Sequence, residues 1–333
     1  MGITWESRET DREFFDKNLN TFVPDRVFDA HAHLYKIHHW GFDHPTAAGP
    51  SSVGLDTYRD QMQWILPGRR IAGLFFGVGF HPGFRESNEF VASEVAKDER
   101  CYGEMLVPPD FEAEAMREEA KRLGFTGLKV YHRFLLPRPS WNVDILEFLA
   151  EDHCRVADEE GWVITLHIVK DLALADKRNQ EQIRYLCTRY KNMKLILAHA
   201  ARGFNPFHTI EGIAALKGLC NVWFDTSAVT EAGSFEAIIE TFGHERLLWG
   251  SDYPLSHLRG RCVGIGNGFL WLLEDSIDWR TAAGQGVLEP LFYGTESLRA
   301  LKLAAMRMRL TDRQLEDIFY GNAAEMLAIP KEP

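Results

Sequence analysis

Short apolar runs recur along the chain, each followed by a stretch with helical spacing. The runs are Val27–Leu34, Ile71–Gly79, Cys101–Val107, Gly127–Phe134, Trp162–Val169, Lys194–Ala200, Asn221–Ser227 and Leu247–Asp252. They are apolar nearly throughout rather than alternating, as strands covered on both faces should be. Amphipathic stretches at Glu112–Leu123, Val143–Glu160, Asn179–Tyr190 and Phe235–Phe242 lie between them. Strand–helix alternation predicts parallel βαβ units, and eight such runs predict an α/β fold of the closed (β/α)8, or TIM-barrel, type. An open doubly wound sheet is the competing arrangement. The barrel is favoured because polar residues gather at the C-terminal ends of the runs.

The pattern predicts one barrel domain over residues 1–333, with core strands between about 27 and 252. Two segments interrupt the rhythm. Residues 38–70 are rich in Gly, Pro, His and Trp, and residues 254–293 contain GRCVGIGNG and TAAGQG. Long loops at the C-terminal face of a barrel usually shape its pocket, so both are expected to be pocket insertions. Neutral surface insertion is the plainer alternative. Thr311–Gln314 reads as a capping box that opens a helix through Leu327, and residues 294–328 are expected to be helical.

Composition removes several function classes. With 37 basic against 48 acidic residues, the net charge is −11. Phosphate-backbone binding has no global electrostatic support, so no nucleic-acid partner is expected. Five cysteines without a CxxC pair suit a reduced, cytoplasmic protein with free thiols. The charged N-terminus lacks the apolar core of a signal peptide, and Glu6 stands where a myristoylation motif wants Ser or Thr. The longest apolar run, Ile71–Phe80, is too short to span a bilayer, so no membrane partner is expected either.

The candidate chemistry sits at the ends of the runs. His31 and His33 in FDAHAHL are two residues apart, so both imidazoles point from one strand face towards the barrel mouth. His167 ends the fifth run, His199 the sixth and Asp252 the eighth. Any one of these alone is more often a satisfied structural residue than a ligand. Together they are imidazole and carboxylate donors suited to Zn²⁺, with Mn²⁺ or Fe²⁺ as alternatives.

FDAHAHL, His167, His199, GSDYP and the late IFYGNAAEML together resemble the amidohydrolase superfamily, specifically its amidohydrolase-2 branch, from about Val27 to Leu327. The resemblance implies that His31, His33, His167 and Asp252 bind one divalent metal. It implies further that His199 contacts the metal-bound water or the substrate, and that Asp252 accepts the proton. Such a metal would lower the pKa of its water to near 7, and a carboxylate beside it can take the proton. Lys129 lies on the fourth run, where binuclear relatives carry a carboxylated, metal-bridging lysine; its early position in the run favours a non-bridging role. Dimers or larger homo-oligomers are common in this branch.

Lys129, Tyr131 and Arg133 have period two, so they are expected to share a face, and Arg202 follows His199 by three residues. These four are candidate substrate-binding residues, suited to a small carboxylate. The plainer reading pairs both arginines with surface acids. Of the other histidines, His38, His39 and His44 could line a lid with Trp40 and Phe42, and His257 could approach the site. His132 should face away from Lys129, while His153, His208 and His244 look like surface positions. Three functions follow: metal-assisted hydrolysis of a lactone, ester or amide; non-oxidative decarboxylation of an unsaturated or aromatic acid; or ligand binding on a decayed barrel. Retention of every ligand type argues against the last.

Overall fold

The computed structural model describes residues 4–40, 48–79, 83–137, 140–279, 286 and 288–330. His44 and Phe42 lie outside the described residues. Eight parallel strands form one sheet in chain order. They are β1 (Arg26–His33), β2 (Arg70–Phe76), β3 (Tyr102–Leu106), β4 (Gly127–Val130), β5 (Val163–Leu166), β6 (Lys194–Leu197), β7 (Val222–Asp225) and β8 (Leu247–Leu248). The sheet closes where the chain after β8 meets β1. Ala30 N donates to Trp249 O at 2.9 Å, Asp252 N to His31 O at 2.8 Å and His33 N to Tyr253 O at 2.9 Å. The (β/α)8 barrel predicted from the apolar runs is thus observed, and the open sheet is not.

Helix α1 (Glu9–Asn18) precedes the barrel. Connecting helices follow the strands in turn: α2 (Leu55–Met62), α3 (Phe84–Val95), α4 (Ala113–Leu123), α5 (Glu151–Glu160), α6 (Lys177–Arg189), α7 (Pro206–Gly212), α8 (Gly233–Phe242) and α9 (Tyr293–Met308). Their apolar stripes cover the sheet from outside, where Leu128 and Ile164 are fully buried, while Thr165 and Ile196 are fully buried on the barrel interior. The stretch predicted as one helix over Val143–Glu160 is two. A short turn, Ile145–Phe148, ends at Leu149, and the chain runs extended through Ala150 before α5 begins. The break lets Phe148 and Leu149 both reach the core. The capping box at Thr311 is present: its backbone N donates to Gln314 Oε1 at 2.9 Å, and its hydroxyl accepts from Gln314 N at 3.4 Å.

The two irregular segments both build the mouth. In the first, a 3-10 turn at Ile37–Trp40 brings Trp40 over the barrel. In the second, an antiparallel hairpin, β9 (Gly260–Ile265) and β10 (Gly268–Leu273), presents Phe269 and Trp271. Its tip is tied to the start of α7, where Asn205 Nδ2 donates to Gly266 O and Gly268 O at 2.9 and 2.8 Å. No helix among the described residues is long and apolar enough to cross a membrane.

Helix α1 is locked to the chain before this hairpin by a buried bidentate ion pair. Arg259 reaches Asp11 at 2.6 and 2.9 Å, and both side chains are 1% exposed. Removing one partner strands the other charge in the interior, which costs about 3–5 kcal/mol. Asp11→Ala is therefore expected to lower stability by that amount in chemical denaturation. A loss under about 1 kcal/mol would show that the pair is not desolvated as described.

Candidate metal centre and pocket

His31 and His33 leave β1 side by side at the mouth, and each has its Nδ1 held from behind. His31 Nδ1 lies 2.9 Å from Asp225 Oδ2, and His33 Nδ1 lies 2.9 Å from Gly77 O. A carbonyl can only accept, and Asp225 is ionised: burial opposes its charge, but His31, His199 and Ser227 together outweigh burial and hold the carboxyl down at about 2. Both Nδ1 atoms therefore carry a hydrogen, and each ring in its neutral form presents the Nε2 lone pair. Burial, aided by the charge of Lys129, pushes His31 down to about 3, so its ring is neutral.

Those lone pairs converge on Asp252. His31 Nε2 is 3.6 Å and His33 Nε2 3.5 Å from Asp252 Oδ1. Burial opposes the charge of Asp252, but the surrounding histidines outweigh it and hold the carboxyl well below its usual range. With both rings neutral, two lone pairs and a carboxylate oxygen face each other, their ligand atoms within 4.8 Å of one another; without a metal, a proton on the histidines holds them together. Such a set repels itself unless a cation sits within it, so the residues present fit a divalent metal. Close approach needs Gly250: a Cβ there would lie 3.0 Å from the Cβ of His31.

His199 and then His167 line the adjoining wall, and His167 lies outside the set of ligand atoms that converge within 4.8 Å. The His199 ring centroid is 4.8 Å from that of His31 and 5.0 Å from that of His167. His199 Nδ1 is held by Ser227 Oγ at 2.8 Å and lies 4.0 Å from Asp252 Oδ2. Its backbone is left-handed, as are Ala200, Ala201 and Arg202, with φ between 51° and 58°. A non-glycine residue pays about 1–2 kcal/mol for this conformation, and four in a row persist only where neighbours enforce them. His199 N donates to Asp225 Oδ1 at 2.9 Å, Thr209 Oγ1 to Ala200 O at 3.0 Å, and Gly203 N to His199 O at 2.7 Å. The tight left-handed turn aims both His199 and Arg202 at the pocket.

The cavity above these residues measures about 220 Å³. Its walls are largely aromatic: Trp40, Trp141, Phe204, Phe269 and Trp271. Of the predicted substrate-binding residues, Lys129, Tyr131 and Arg202 line it. Lys129 is buried, with Nζ 4.3 Å from the centre of the Phe76 ring, and burial pushes it down to about 8. Arg202 lies between the rings of Trp141 and Phe269, at 5.2 and 5.3 Å, and its Nη1 is buried without a hydrogen-bond partner among the described residues. Arg133 is not in the lining. The strand ends at Val130 and the chain turns into a 3-10 turn, His132–Leu135, so alternation stops after Tyr131.

The remaining histidines are mostly structural. His257 is buried, bonded to Gln61 O at 2.9 Å and stacked on Trp5, away from the cavity. His153 and His208 are not surface residues as expected; each is buried and reaches a carbonyl, Phe111 O at 2.7 Å and Asn267 O at 3.0 Å. Asp225 was not singled out in the sequence. Its signal was position alone, at the C-terminal end of the seventh run in VWFDTS.

The profile of the amidohydrolase family matches residues 28–329. The chain belongs to that family. Solved structures with the same fold include a zinc-bound amidohydrolase from Burkholderia multivorans (16% identity, TM-score 0.56, covering 91% of this chain and 99% of that one). A probable 2-pyrone-4,6-dicarboxylic acid hydrolase from Acinetobacter baumannii is similar at 16% identity and TM-score 0.55, over 91% and 99% of the two chains. A dihydroxybenzoic acid decarboxylase from Polaromonas, with manganese and the inhibitor 2-nitroresorcinol bound, is similar at 14% identity and TM-score 0.60, over 93% and 98%. A comparison with curated protein sequences gives no match.

Asp225 both backs His31 and holds the His199 turn. Asp225→Asn is expected to weaken zinc binding about 10–100-fold in chelator competition while the far-ultraviolet circular dichroism is kept. Unchanged zinc affinity would remove Asp225 from the centre.

Proposed function

We propose that this amidohydrolase is a metal-dependent hydrolase that opens a C–O or C–N bond, of a lactone, ester or amide, in a small carboxylate-bearing substrate. The observation that carries the reading is the convergence of His31 Nε2, His33 Nε2 and Asp252 Oδ1 at the floor of the cavity, each Nδ1 being held from behind. His167, on the next wall, would complete the ligand set. Zinc suits these donors best, with manganese or iron as alternatives. A divalent ion held there would supply Lewis acidity and make water a nucleophile at neutral pH.

The chain's own residues then have distinct tasks. Asp252, ionised and at the floor, takes the proton of the attacking water and returns it to the leaving group. His199, its Nδ1 fixed by Ser227, lines the cavity and would polarise the carbonyl. Arg202 receives the carboxylate, since its Nη1 has no other partner among the described residues. Lys129 supports the same charge, without bridging metals. The aromatic walls hold a planar body and exclude water, which strengthens each of these contacts.

Non-oxidative decarboxylation of an aromatic or unsaturated acid is the second reading. The largely aromatic lining favours it, with Asp252 or His199 then protonating carbon. The two are separated by product: ring opening or a new acid and alcohol for hydrolysis, carbon dioxide for the lyase. For both, the partner is a small molecule, and the chain would work in the cytoplasm, alone or as a homo-oligomer.

Two measurements test the shared core. His31→Asn is expected to abolish tight zinc binding and turnover together; full activity in that variant would end the metal reading. Arg202→Ala is expected to raise KM about 10–100-fold for a carboxylate substrate, the cost of one charge-assisted bond, and to leave a neutral ester analogue nearly unaffected. A wild-type preference for the neutral analogue would overturn the anionic assignment.

A further inference from the structure

Each imidazole at the centre needs a partner behind it. A ring that offers one nitrogen to a metal carries its hydrogen on the other, and a fixed acceptor for that hydrogen sets the tautomer and the orientation. His31 has the Asp225 carboxylate, His33 the Gly77 carbonyl and His199 the Ser227 side chain. His167 has none of these. Its Nδ1 is buried and has no hydrogen-bond partner among the described residues.

The surroundings of His167 narrow the choice of acceptor. Its ring meets Tyr131 and His199 edge to face, with centroids at 5.1 and 5.0 Å, and Trp141 at 6.5 Å. An indole can only donate, and Nδ1 of His199 is already taken by Ser227. The Tyr131 hydroxyl can also accept, but the neighbouring ring that carries a second orphaned nitrogen is His132, 5.8 Å away and inclined by 35°. His132 is fully buried, its Nδ1 lies 2.9 Å from Ser140 Oγ, and its Nε2 is the other buried ring nitrogen here without a partner among the described residues. Two orphaned nitrogens on neighbouring rings would each cost about 1–3 kcal/mol if left unpaired.

We propose that His132 is the positioning residue of His167: His132 donates Nδ1–H to Ser140 and accepts, at Nε2, the hydrogen of His167 Nδ1 through one buried water. The chain of hydrogens runs in one direction, from His167 through water to His132 and on to the Ser140 hydroxyl. It leaves the Nε2 lone pair of His167 free on the cavity side of the ring and satisfies both orphans with one water of the kind that buried polar groups retain. A neutral imidazole thus does for His167 what a carboxylate does for His31. The inference rests on the metal-centre reading and adds a residue, His132, that makes no contact with the ion.

The test uses the zinc-loaded full chain. His132→Phe keeps the bulk and removes the acceptor, and is expected to weaken zinc about 10–100-fold in chelator competition. His132→Gln supplies a carbonyl oxygen and is expected to restore affinity to within about threefold of wild type. Equal loss in both variants, or no loss in His132→Phe, would overturn the proposal. Imidazole nitrogen NMR of the wild-type protein gives an answer independent of variant folding: His132 is expected as the Nδ1–H tautomer with Nε2 unprotonated, and the Nε2–H tautomer would overturn it. His31→Asn separates the two levels. If it retains zinc, the metal-centre reading fails; if it loses zinc while His132→Phe keeps it, only the role of His132 fails.

Discussion

The carboxylate of Asp225 is the contact on which the site depends. It sits fully buried at the end of β7 and accepts from His31 Nδ1, from the backbone N of His199 at 2.9 Å and of Ser227 at 3.1 Å, and from the Ser227 hydroxyl. A lone buried carboxylate would take up a proton rather than stay charged. Here four donors from three strand ends keep it ionised. One charge therefore fixes the tautomer of His31, turns the chain into the left-handed stretch that carries His199 and Arg202, and fixes Ser227 as the partner of His199.

A second carboxylate does the matching work below. Asp29 Oδ1 accepts from His31 N at 3.0 Å and from Ser251 N at 2.9 Å, and its Oδ2 from the Tyr58 hydroxyl at 2.6 Å. Its bonds join β1 to the chain after β8, where the barrel must close. That junction is also where the bond from Asp252 N to His31 O lies, so closure of the barrel and placement of Asp252 are one event. Burial pushes Asp29 up to about 6, against the pull of those bonds, so it acts as a structural anchor at a different charge balance from Asp225. Strain at four left-handed residues is tolerable because His199 N, His199 O and Ala200 O are each hydrogen-bonded to fixed neighbours.

The legible part of this design was what period and position reveal. Strands buried on both faces read as continuous apolar runs, and His31, His33, His167, His199 and Asp252 stood where those runs ended. Asp225 stood there too, yet an aspartate at the end of one run carries no spacing partner that marks it. The left-handed turn was hidden for a related reason. Ala198–Ala201 carries no glycine to announce positive φ, and only tertiary contacts impose it. Arg133 was misplaced because alternation was extended past Val130, where the strand gives way to a turn. His153 and His208 looked exposed because a histidine satisfied by one distant carbonyl has no local signature. The sandwich of Arg202 between Trp141 and Phe269 joins three loops, which no window of sequence contains.

The overall charge of −11 and the proposed anionic substrate are compatible. Surface charges are screened over roughly 8–10 Å at ordinary ionic strength, whereas the groups in the cavity act through a poorly screened, aromatic-walled space. The balance there is local. A divalent ion would meet two carboxylates, Asp252 and Asp225, and cancel them, before Arg202 and the buried Lys129 are counted. Both cations resist burial: desolvation lowers the pKa of Arg202 and brings Lys129 down to about 8. On the proposed reading an incoming carboxylate would offset the cost of holding Arg202 against two rings, whereas Lys129 already faces Glu104, Asp225 and Asp252.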